Sequence, residues 1–185
     1  KVVVPVHLAG QSCDMKRIHE LSVEYGFTVL EDASHAIGAD YLDTKVGSCA
    51  YSDMAVFSFH PVKIITTSEG GMVLTNNEDL YKKLCLYRSH GITRDASLMT
   101  HEADGPWYYQ QIDLGYNYRM SNICAGIGRG QMKVLPLRVE QKQTICEAYT
   151  RALADLPLTV QPCLEQSASN RWLTSVLVEE GCPVT

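Results

Sequence analysis

Hydrophobic positions in the first 30 residues change from a strand-like run to a helical period and back. Val2 to Val6 is a short β-branched run and predicts a buried strand. Asp14 suits a helix N-cap and Gly26 suits the helix C-terminus. Between them, apolar residues recur at helical spacing: Met15, Ile18, Leu21 and Tyr25. Phe27 to Leu30 predicts a second strand, so this region reads as a βαβ unit with parallel strands.

The middle of the chain predicts two further strands and one helix. The strands are expected at Met54 to Phe59 and Gly71 to Thr75, and the helix at Glu78 to Tyr87. Residues 89–115 show no convincing periodicity and form a long polar and aromatic segment. Long loops of this kind are more often binding elements than simple connections.

The last third predicts two helices separated by a proline. Ser121 suits the cap of a helix that runs to about Leu135, where Pro136 is expected to stop or kink it. Arg138 to Leu153 predicts a further amphipathic helix, and Trp172 to Val178 a strand. The first helix contains glycines that favour close approach of another backbone: Gly126, Gly128 and Gly130.

These elements predict an α/β fold built on a mostly parallel sheet. The composition changes near Leu153, so residues 1–153 are expected to form a large domain and residues 154–185 the beginning of a small C-terminal domain. The chain opens within an apolar strand without an initiator methionine and ends soon after another strand. We therefore expect it to be a piece of a longer protein whose N-terminal part is missing.

Composition narrows the classes of function. The 185 residues are 45% hydrophobic and 20% charged, as in an ordinary globular protein. A net charge of −5 without a basic stripe argues against nucleic acid binding. No apolar run reaches the roughly 20 residues of a membrane span, and no signal peptide is evident, so a cytoplasmic location is expected. The seven scattered cysteines form no CxxC pair, which predicts neither a disulfide framework nor a metal site.

Four residues with useful chemistry lie at or just after the ends of predicted strands: Asp32, His35, Ser58 and Lys63. Ligands of open α/β sheets bind at the carboxyl ends of strands. A lysine amine, a carboxylate for a pyridine nitrogen and small donors for a phosphate are the groups that pyridoxal 5'-phosphate (PLP) requires. Each residue alone also fits an ordinary role: a solvated lysine, a capping aspartate, a buried serine or a core histidine.

Three segments together resemble one enzyme family. EDASHAIGA, FSFHPVKIITTSEGG and LGYNYRM are similar to consecutive signatures of the DegT/DnrJ/EryC1/StrS family. Members are PLP-dependent sugar-nucleotide aminotransferases of fold type I, the aspartate aminotransferase-like fold. The resemblance runs over about residues 1–180 and implies that fold here.

The resemblance also implies a role for each candidate residue. Lys63 would form the Schiff base with PLP and shuttle the proton during transamination. Asp32 would pair with the pyridine nitrogen, and His35 would lie beside the ring and its phenolic oxygen. Ser58 would bind the phosphate, and Asn117 would reach the phosphate in the partner subunit's site. A homodimer with shared active sites is therefore expected.

Different segments of the chain resemble two branches of the family, which differ in their sugar substrate. Segments before Arg119, such as HLAGQSCDM and LYRSHGITRD, resemble the pseudaminic acid branch, whereas KIITTS, YRMSNICAGIGRGQ and SNRWLT resemble the bacillosamine-type branch. We favour the former: transfer from L-glutamate to C-4 of a UDP-linked 4-keto-6-deoxy-N-acetylhexosamine. Candidates for contacts with this substrate are His60, His90, Arg94, Trp107 and Tyr108.

Two other classes of function stay open. A non-catalytic PLP-fold protein could bind a sugar nucleotide, although such a protein has no need for both Lys63 and Asp32. A dehydratase is disfavoured because its relatives carry histidine in place of Lys63, and a reductase because no GxGxxG turn occurs. Because family members are about twice this long, the 185-residue chain alone is expected to be inactive.

Overall fold

The computed structural model of the protein describes residues 1–182. Its helices are α1 (Met15–Tyr25), α2 (Glu78–Tyr87) and α3 (Asn122–Ala152). Its strands are β1 (Val2–Val3), β2 (Thr28–Asp32), β3 (Asp40–Tyr41), β4 (Thr44–Lys45), β5 (Met54–Ser58), β6 (Gly71–Leu74), β7 (Ile92–Thr93), β8 (Gln110–Gln111), β9 (Leu158–Val160), β10 (Ser167–Ala168) and β11 (Val176–Val178). The chain divides into a first unit, residues 1–74 with 122–182, and a second unit, residues 75–121.

A four-stranded sheet in the order β1-β2-β5-β6 organises the first unit. Strands β1 and β5 pair with β2 in parallel, which confirms the predicted βαβ unit, and β6 pairs with β5 antiparallel. Asp32 lies opposite Val56, so β2 and β5 end at the same edge of the sheet. The sheet is therefore mixed, and the side chains that follow these two strands share one edge.

The strand predicted over Val2 to Val6 is present, but the prediction that it is buried is wrong, and so is its length. The strand comprises only Val2–Val3, and Val2 is 59% exposed. The β-branched run reports strand propensity correctly, but β1 lies at the edge of its sheet, where the described residues leave its valines accessible.

Helices α1 and α2 begin and end for local reasons. The carboxylate of Asp14 accepts a hydrogen bond from the amide of Arg17, and Gly26 ends α1 at a positive φ of 65°. The side-chain oxygen of Asn77 accepts from the amides of Asp79 and Leu80 at the start of α2. Both predicted helices are confirmed.

Helix α3 runs without interruption through Pro136, so the predicted break into two helices is wrong. An internal proline removes one backbone hydrogen bond and costs about 3 kcal/mol. Here Leu135 is buried immediately before the proline, and Leu135 and Val139 pack against Gly38. The long helix on both sides of Pro136 and this packing offset the lost hydrogen bond.

The glycines of α3 differ in their surroundings. A Cβ atom added at Gly128 would lie 2.8 Å from Cγ2 of Thr67, so the loop after β5 approaches the helix at this point. The approaching group is a side chain rather than the predicted backbone. A Cβ added at Gly126 or Gly130 would meet nothing within 4 Å.

The segment from 89 to 115, which lacks periodicity, contains a short antiparallel pair of β7 with β8 in the second unit.

Near the C-terminus, β9 pairs with β11, and the strand predicted from Trp172 starts only at Val176. The domain boundary at residue 153 stays a prediction, and residues 183–185 of that domain lie outside the described part of the chain.

Among residues 1–182, no helix is both long enough and apolar enough to cross a membrane. Within the same residues, no group of three or more His, Cys, Asp and Glu side chains is arranged to hold a metal ion.

Candidate active site

Asp32 is the last residue of β2 and lies at the edge where β2 and β5 both end. Its Oδ1 accepts a hydrogen bond of 3.1 Å from the amide of Ser34. Burial tends to raise the pKa of this carboxyl group. The hydrogen bonds from Ser34 and the positive charges of His35 and Lys63 outweigh burial, so the pKa of Asp32 lies below its ordinary value. The side chain is therefore an ionised, half-buried acceptor.

Lys63 lies in the segment between β5 and β6, residues 59–70, which we call the lysine loop. The amide of Phe59 donates to the carbonyl of Gly70, and the amide of Thr67 donates to the carbonyl of Phe59. The Thr66 hydroxyl donates to the same Phe59 carbonyl at 2.9 Å. These hydrogen bonds join the two ends of the loop and give it one defined conformation.

Buried side chains hold the lysine loop from within. Ile64, Ile65 and Thr67 are buried, and the Thr67 hydroxyl donates to the carbonyl of Glu69 at 2.8 Å. Lys63 itself is half-buried, and its amide donates to the carbonyl of His60. The amine therefore extends from a packed loop rather than from a solvated turn.

His35 follows Asp32 by three residues and also lies near the Lys63 amine. Its Nδ1 accepts from the amide of Ala9 at 3.4 Å. Burial and the nearby charge of Lys63 lower the pKa of His35 below its ordinary value, while Asp32 opposes that shift. Asp32, His35 and Lys63 are thus close enough to influence one another's charge, as their positions after strands predicted.

Trp172 is a component of this site that the sequence did not reveal. Its ring centroid lies 4.6 Å from Nζ of Lys63 and 4.0 Å from the ring centroid of His35. Its indole N–H donates to the carbonyl of Val62 at 3.0 Å. In the sequence, Trp172 belongs to the segment SNRWLT and to the start of a predicted strand, but neither signal connects it with Val62, 110 residues away.

A buried, hydrogen-bonded pair of titratable side chains, His7 and Glu31, lies directly behind Asp32. His7 is fully buried, and its Nε2 lies 2.9 Å from Oε2 of Glu31, whose other oxygen accepts from the Ser52 hydroxyl. Burial opposes a charged imidazole, but the side chains of Cys13 and Glu31 outweigh it and raise the pKa of His7 to about 9. Because the amide of His7 donates to the carbonyl of Asp32, this pair also fixes the end of β2.

Ser58 and His60 flank the start of the lysine loop. Ser58 ends β5, and its hydroxyl accepts a 3.4 Å hydrogen bond from the amide of His60. The His60 side chain is exposed. Ser58 is thus at the sheet edge that carries Asp32, as predicted, and its hydroxyl hydrogen is available to an acceptor.

The other five candidate residues belong to the second unit. His90 has a positive φ of 64°, and its carbonyl accepts from the Gln111 side chain. Asn117 is exposed and forms an isolated bridge with Ser89. The rest lie in residues 94–109, which we call the aromatic loop: Arg94, Trp107 and Tyr108.

The aromatic loop is held by side chains. Gln110 accepts from the amide of Thr100 at 2.8 Å and donates to the carbonyl of His101 at 3.0 Å. Tyr108 is hydrogen-bonded to Nε2 of His101, and Trp107 is 65% exposed. The loop thus presents a large aromatic surface to solvent within its own unit.

Proteins of similar sequence and solved structures of similar fold are known for this chain. A Campylobacter jejuni protein named UDP-4-amino-4,6-dideoxy-N-acetyl-beta-L-altrosamine transaminase is 41% identical over 146 residues, which cover 79% of this chain and 36% of that protein. Helicobacter pylori PseC, an aminotransferase of pseudoaminic acid biosynthesis, superposes with a TM-score of 0.86 at 31% identity, covering 97% of this chain and 46% of PseC.

A third similar protein has a solved structure in a PLP-form. The sugar aminotransferase Spr1654 from Streptococcus pneumoniae, described as putative and in its PLP-form, superposes with a TM-score of 0.83 at 27% identity. That match covers 97% of this chain and 48% of Spr1654. The chain spans less than half the length of the curated relatives it matches.

The family model extends over almost the whole chain. It matches residues 1–183 and describes the DegT/DnrJ/EryC1/StrS aminotransferase family. Together with the shared architecture, this match confirms the α/β, fold type I prediction. The chain belongs to the DegT/DnrJ/EryC1/StrS aminotransferase family.

Proposed function

We propose that the protein is a PLP-dependent aminotransferase that acts on a sugar nucleotide. The observation that carries this proposal is the position of Lys63: this half-buried residue lies near an ionised carboxylate at the edge where two parallel strands end. A structural lysine needs neither this partial burial nor the charge of Asp32. Membership of an aminotransferase family gives the same expectation independently.

The residues of the site fit PLP chemically. The low pKa of Asp32 keeps its carboxylate ionised, as pairing with a protonated pyridine nitrogen requires. Lys63 offers the amine that would hold the cofactor covalently, and the Ser58 hydroxyl suits a phosphate oxygen. When bound, PLP supplies an electron-withdrawing ring that stabilises negative charge at Cα of an amino donor.

Each side chain then has a defined task. The Lys63 amine, when free and unprotonated, takes the proton from Cα of the amino donor. The hydrogen-bonded ends of the lysine loop limit the movement of that amine. His35 has a lowered pKa, so at neutral pH its imidazole is uncharged and can hydrogen-bond a neighbouring oxygen without adding a second positive charge beside Lys63.

For the substrates, we propose L-glutamate as donor and a UDP-linked 4-keto-6-deoxy-N-acetylhexosamine of the pseudaminic acid type as acceptor. Support comes from the names of the Campylobacter and Helicobacter relatives and from the segments before Arg119. The exposed rings of the aromatic loop suit the uracil base, and basic side chains suit the diphosphate. The candidate contacts are His60, His90, Arg94, Trp107 and Tyr108.

We further propose a homodimer in which Asn117 of one subunit reaches the phosphate bound by the other. Asn117 is exposed in the single chain. Exposure is required of a residue that contacts a partner subunit. A cytoplasmic location stays a prediction, and it agrees with a nucleotide-sugar substrate.

Reduction of the complete protein with borohydride in the presence of PLP tests the cofactor proposal. Peptide mass spectrometry should find the pyridoxyl group on Lys63. Lys63→Ala should lose the label, whereas Lys16→Ala, which removes an exposed lysine of α1, should keep it. Binding of PLP without labelled Lys63 would favour a non-catalytic sugar-nucleotide binder and overturn the assignment.

A substrate comparison tests the sugar. Incubation with L-glutamate and either of two 4-keto acceptors, the pseudaminic type and the bacillosamine type, should give a C-4 amino sugar detectable by mass and NMR. We expect the pseudaminic-type acceptor to be the better substrate by kcat/KM. The reverse order would assign the protein to the bacillosamine-type branch and leave the aminotransferase proposal intact.

A further inference from the structure

Trp172 makes three contacts that converge on Lys63. Its indole ring centroid lies 4.6 Å from the lysine Nζ, and the ring contacts His35 in a tilted arrangement with an interplanar angle of 31°. Its N–H donates to the carbonyl of Val62, the residue that precedes the lysine. One side chain therefore contacts the amine, the backbone beside it and the neighbouring imidazole.

The backbone of Trp172 is itself held by a buried residue. Asn170 is fully buried, and its Oδ1 accepts from the amide of Trp172 at 2.9 Å. Its Nδ2 donates to the carbonyls of His35 and Ile37, both at 2.8 Å. A Cβ atom at Gly10 would lie 1.8 Å from the Asn170 Oδ1, so the chain closes tightly around this amide. The backbone of Trp172 is thus held in place, and from this position its ring contacts the lysine loop.

This arrangement restricts Lys63 in two ways. An aromatic face attracts a lysine ammonium within about 6 Å and gives it a preferred position. The indole N–H holds the Val62 carbonyl and so limits rotation of the backbone next to the lysine. Both effects reduce the number of conformations available to the Lys63 side chain, and they act before any ligand is bound.

We propose that Trp172 is a positioning residue for Lys63. Its ring and its N–H hold the free lysine amine at the sheet edge beside Asp32 and His35. This inference rests on the proposed function, in which the same amine binds the cofactor and moves a proton. It predicts that loss of the ring lowers kcat more than it raises KM for the amino donor, because a mispositioned base affects the chemical step.

The test measures the lysine directly, without cofactor and without turnover. The complete, cofactor-free protein is acetylated to a limited extent with a small active ester, and peptide mass spectrometry gives the rate at each lysine. The rate at Lys63 is divided by the rate at Lys16, an exposed lysine of α1 that serves as internal reference. Three proteins are compared: the unaltered chain, Trp172→Phe and Trp172→Leu.

We expect the normalised rate at Lys63 to rise about threefold or more in Trp172→Leu, which lacks the ring. Trp172→Phe keeps an aromatic face but loses the N–H and should lie between the other two. Equal rates in all three proteins would overturn the proposal. If Trp172→Leu fails to fold by circular dichroism, the comparison of Trp172→Phe with the unaltered chain decides.

The outcome is separable from that of the proposed function. A changed acetylation rate together with no pyridoxyl label on Lys63 would support the positioning contact and reject the aminotransferase. A labelled Lys63 with unchanged acetylation rates would support the enzyme and reject the role of Trp172. Steady-state constants of the labelled enzyme then complete the test, since a merely structural role would not lower kcat selectively.

Discussion

The lysine loop and the aromatic loop are both irregular segments, yet they are stabilised differently. The lysine loop buries apolar side chains, with Ile65 only 2% exposed, and joins its ends by backbone hydrogen bonds. The aromatic loop leaves Leu98 55% exposed and relies on the side chains of Gln110 and His101. The lysine loop is thus anchored by a few buried side chains beneath an exposed surface, whereas the aromatic loop keeps its aromatic surface in solvent.

The largest expected effect lies in the lysine loop. Lys63→Arg keeps the positive charge but removes the primary amine that we propose binds the cofactor and accepts the proton. We expect kcat to fall by at least about a thousandfold, which corresponds to roughly 4 kcal/mol. Steady-state assays with glutamate and the keto sugar measure this fall. Activity within tenfold of the unaltered enzyme would mean that Lys63 only packs the loop.

Matched apolar truncations in the two loops test their different packing. Ile65→Ala should lower the free energy of unfolding by about 3 kcal/mol, because a buried side chain is replaced by a cavity. Leu98→Ala should change it by less than about 0.5 kcal/mol, since Leu98 is mainly exposed. Urea denaturation of the complete protein gives both values. Similar losses for the two variants would remove the distinction between the loops.

The pH dependence of stability should separate the buried histidine behind Asp32 from the exposed histidine of the aromatic loop. The pKa of His7 is raised to about 9 in the folded protein, from 6.5. The folded state therefore holds a proton that the unfolded state releases, and this contribution is fully present below about pH 6.5. It is lost as the pH rises towards and through 9, by about 2 kcal/mol between pH 7 and pH 9.

Urea denaturation at several pH values measures this loss as a difference between the unaltered protein and His7→Gln. His101→Gln, which removes an exposed histidine of the aromatic loop, is measured as the matched control. A difference that does not depend on pH would mean that His7 is neutral, with its Nδ1 accepting the amide hydrogen of Cys13 at 3.2 Å.

The smallest effect is expected at the tip of the aromatic loop. Trp107→Ala removes an exposed ring that we assign to the uracil base, so KM for the sugar nucleotide should rise about 5- to 10-fold. The free energy of unfolding should stay within about 0.5 kcal/mol. An unchanged KM would remove Trp107 from the proposed substrate contacts. Stability lost without any change in KM would give it a packing role instead.

Local signals allowed much of the fold to be predicted from sequence. The caps at Asp14 and Gly26 define α1, and the alternation of strand and helix predicts the parallel pairing of β1 with β2. The edge shared by Asp32 and Lys63 follows from the same pattern. Pro136 misled the prediction because its helical cost is offset by packing of Leu135 against Gly38, which no local window contains.

Trp172 was missed in the candidate site for the same reason, because its contacts join distant parts of the chain. Trp172 reaches Lys63 only because Asn170 ties the chain to the carbonyls after β2, and no periodicity connects positions so far apart. Motifs report residues that act together when they are close in sequence. Contacts that close long loops depend on the whole fold and appear only in the structure.

The hydrogen bond between Trp172 and Val62 also has a consequence for biosynthesis of the chain. The lysine loop leaves the ribosome 110 residues before the tryptophan that contacts it. Closing so long a loop is entropically costly and comes late in folding. The nascent lysine loop therefore spends much of synthesis without its aromatic neighbour, and full order at Lys63 is reached only after residue 172 has emerged and folded back.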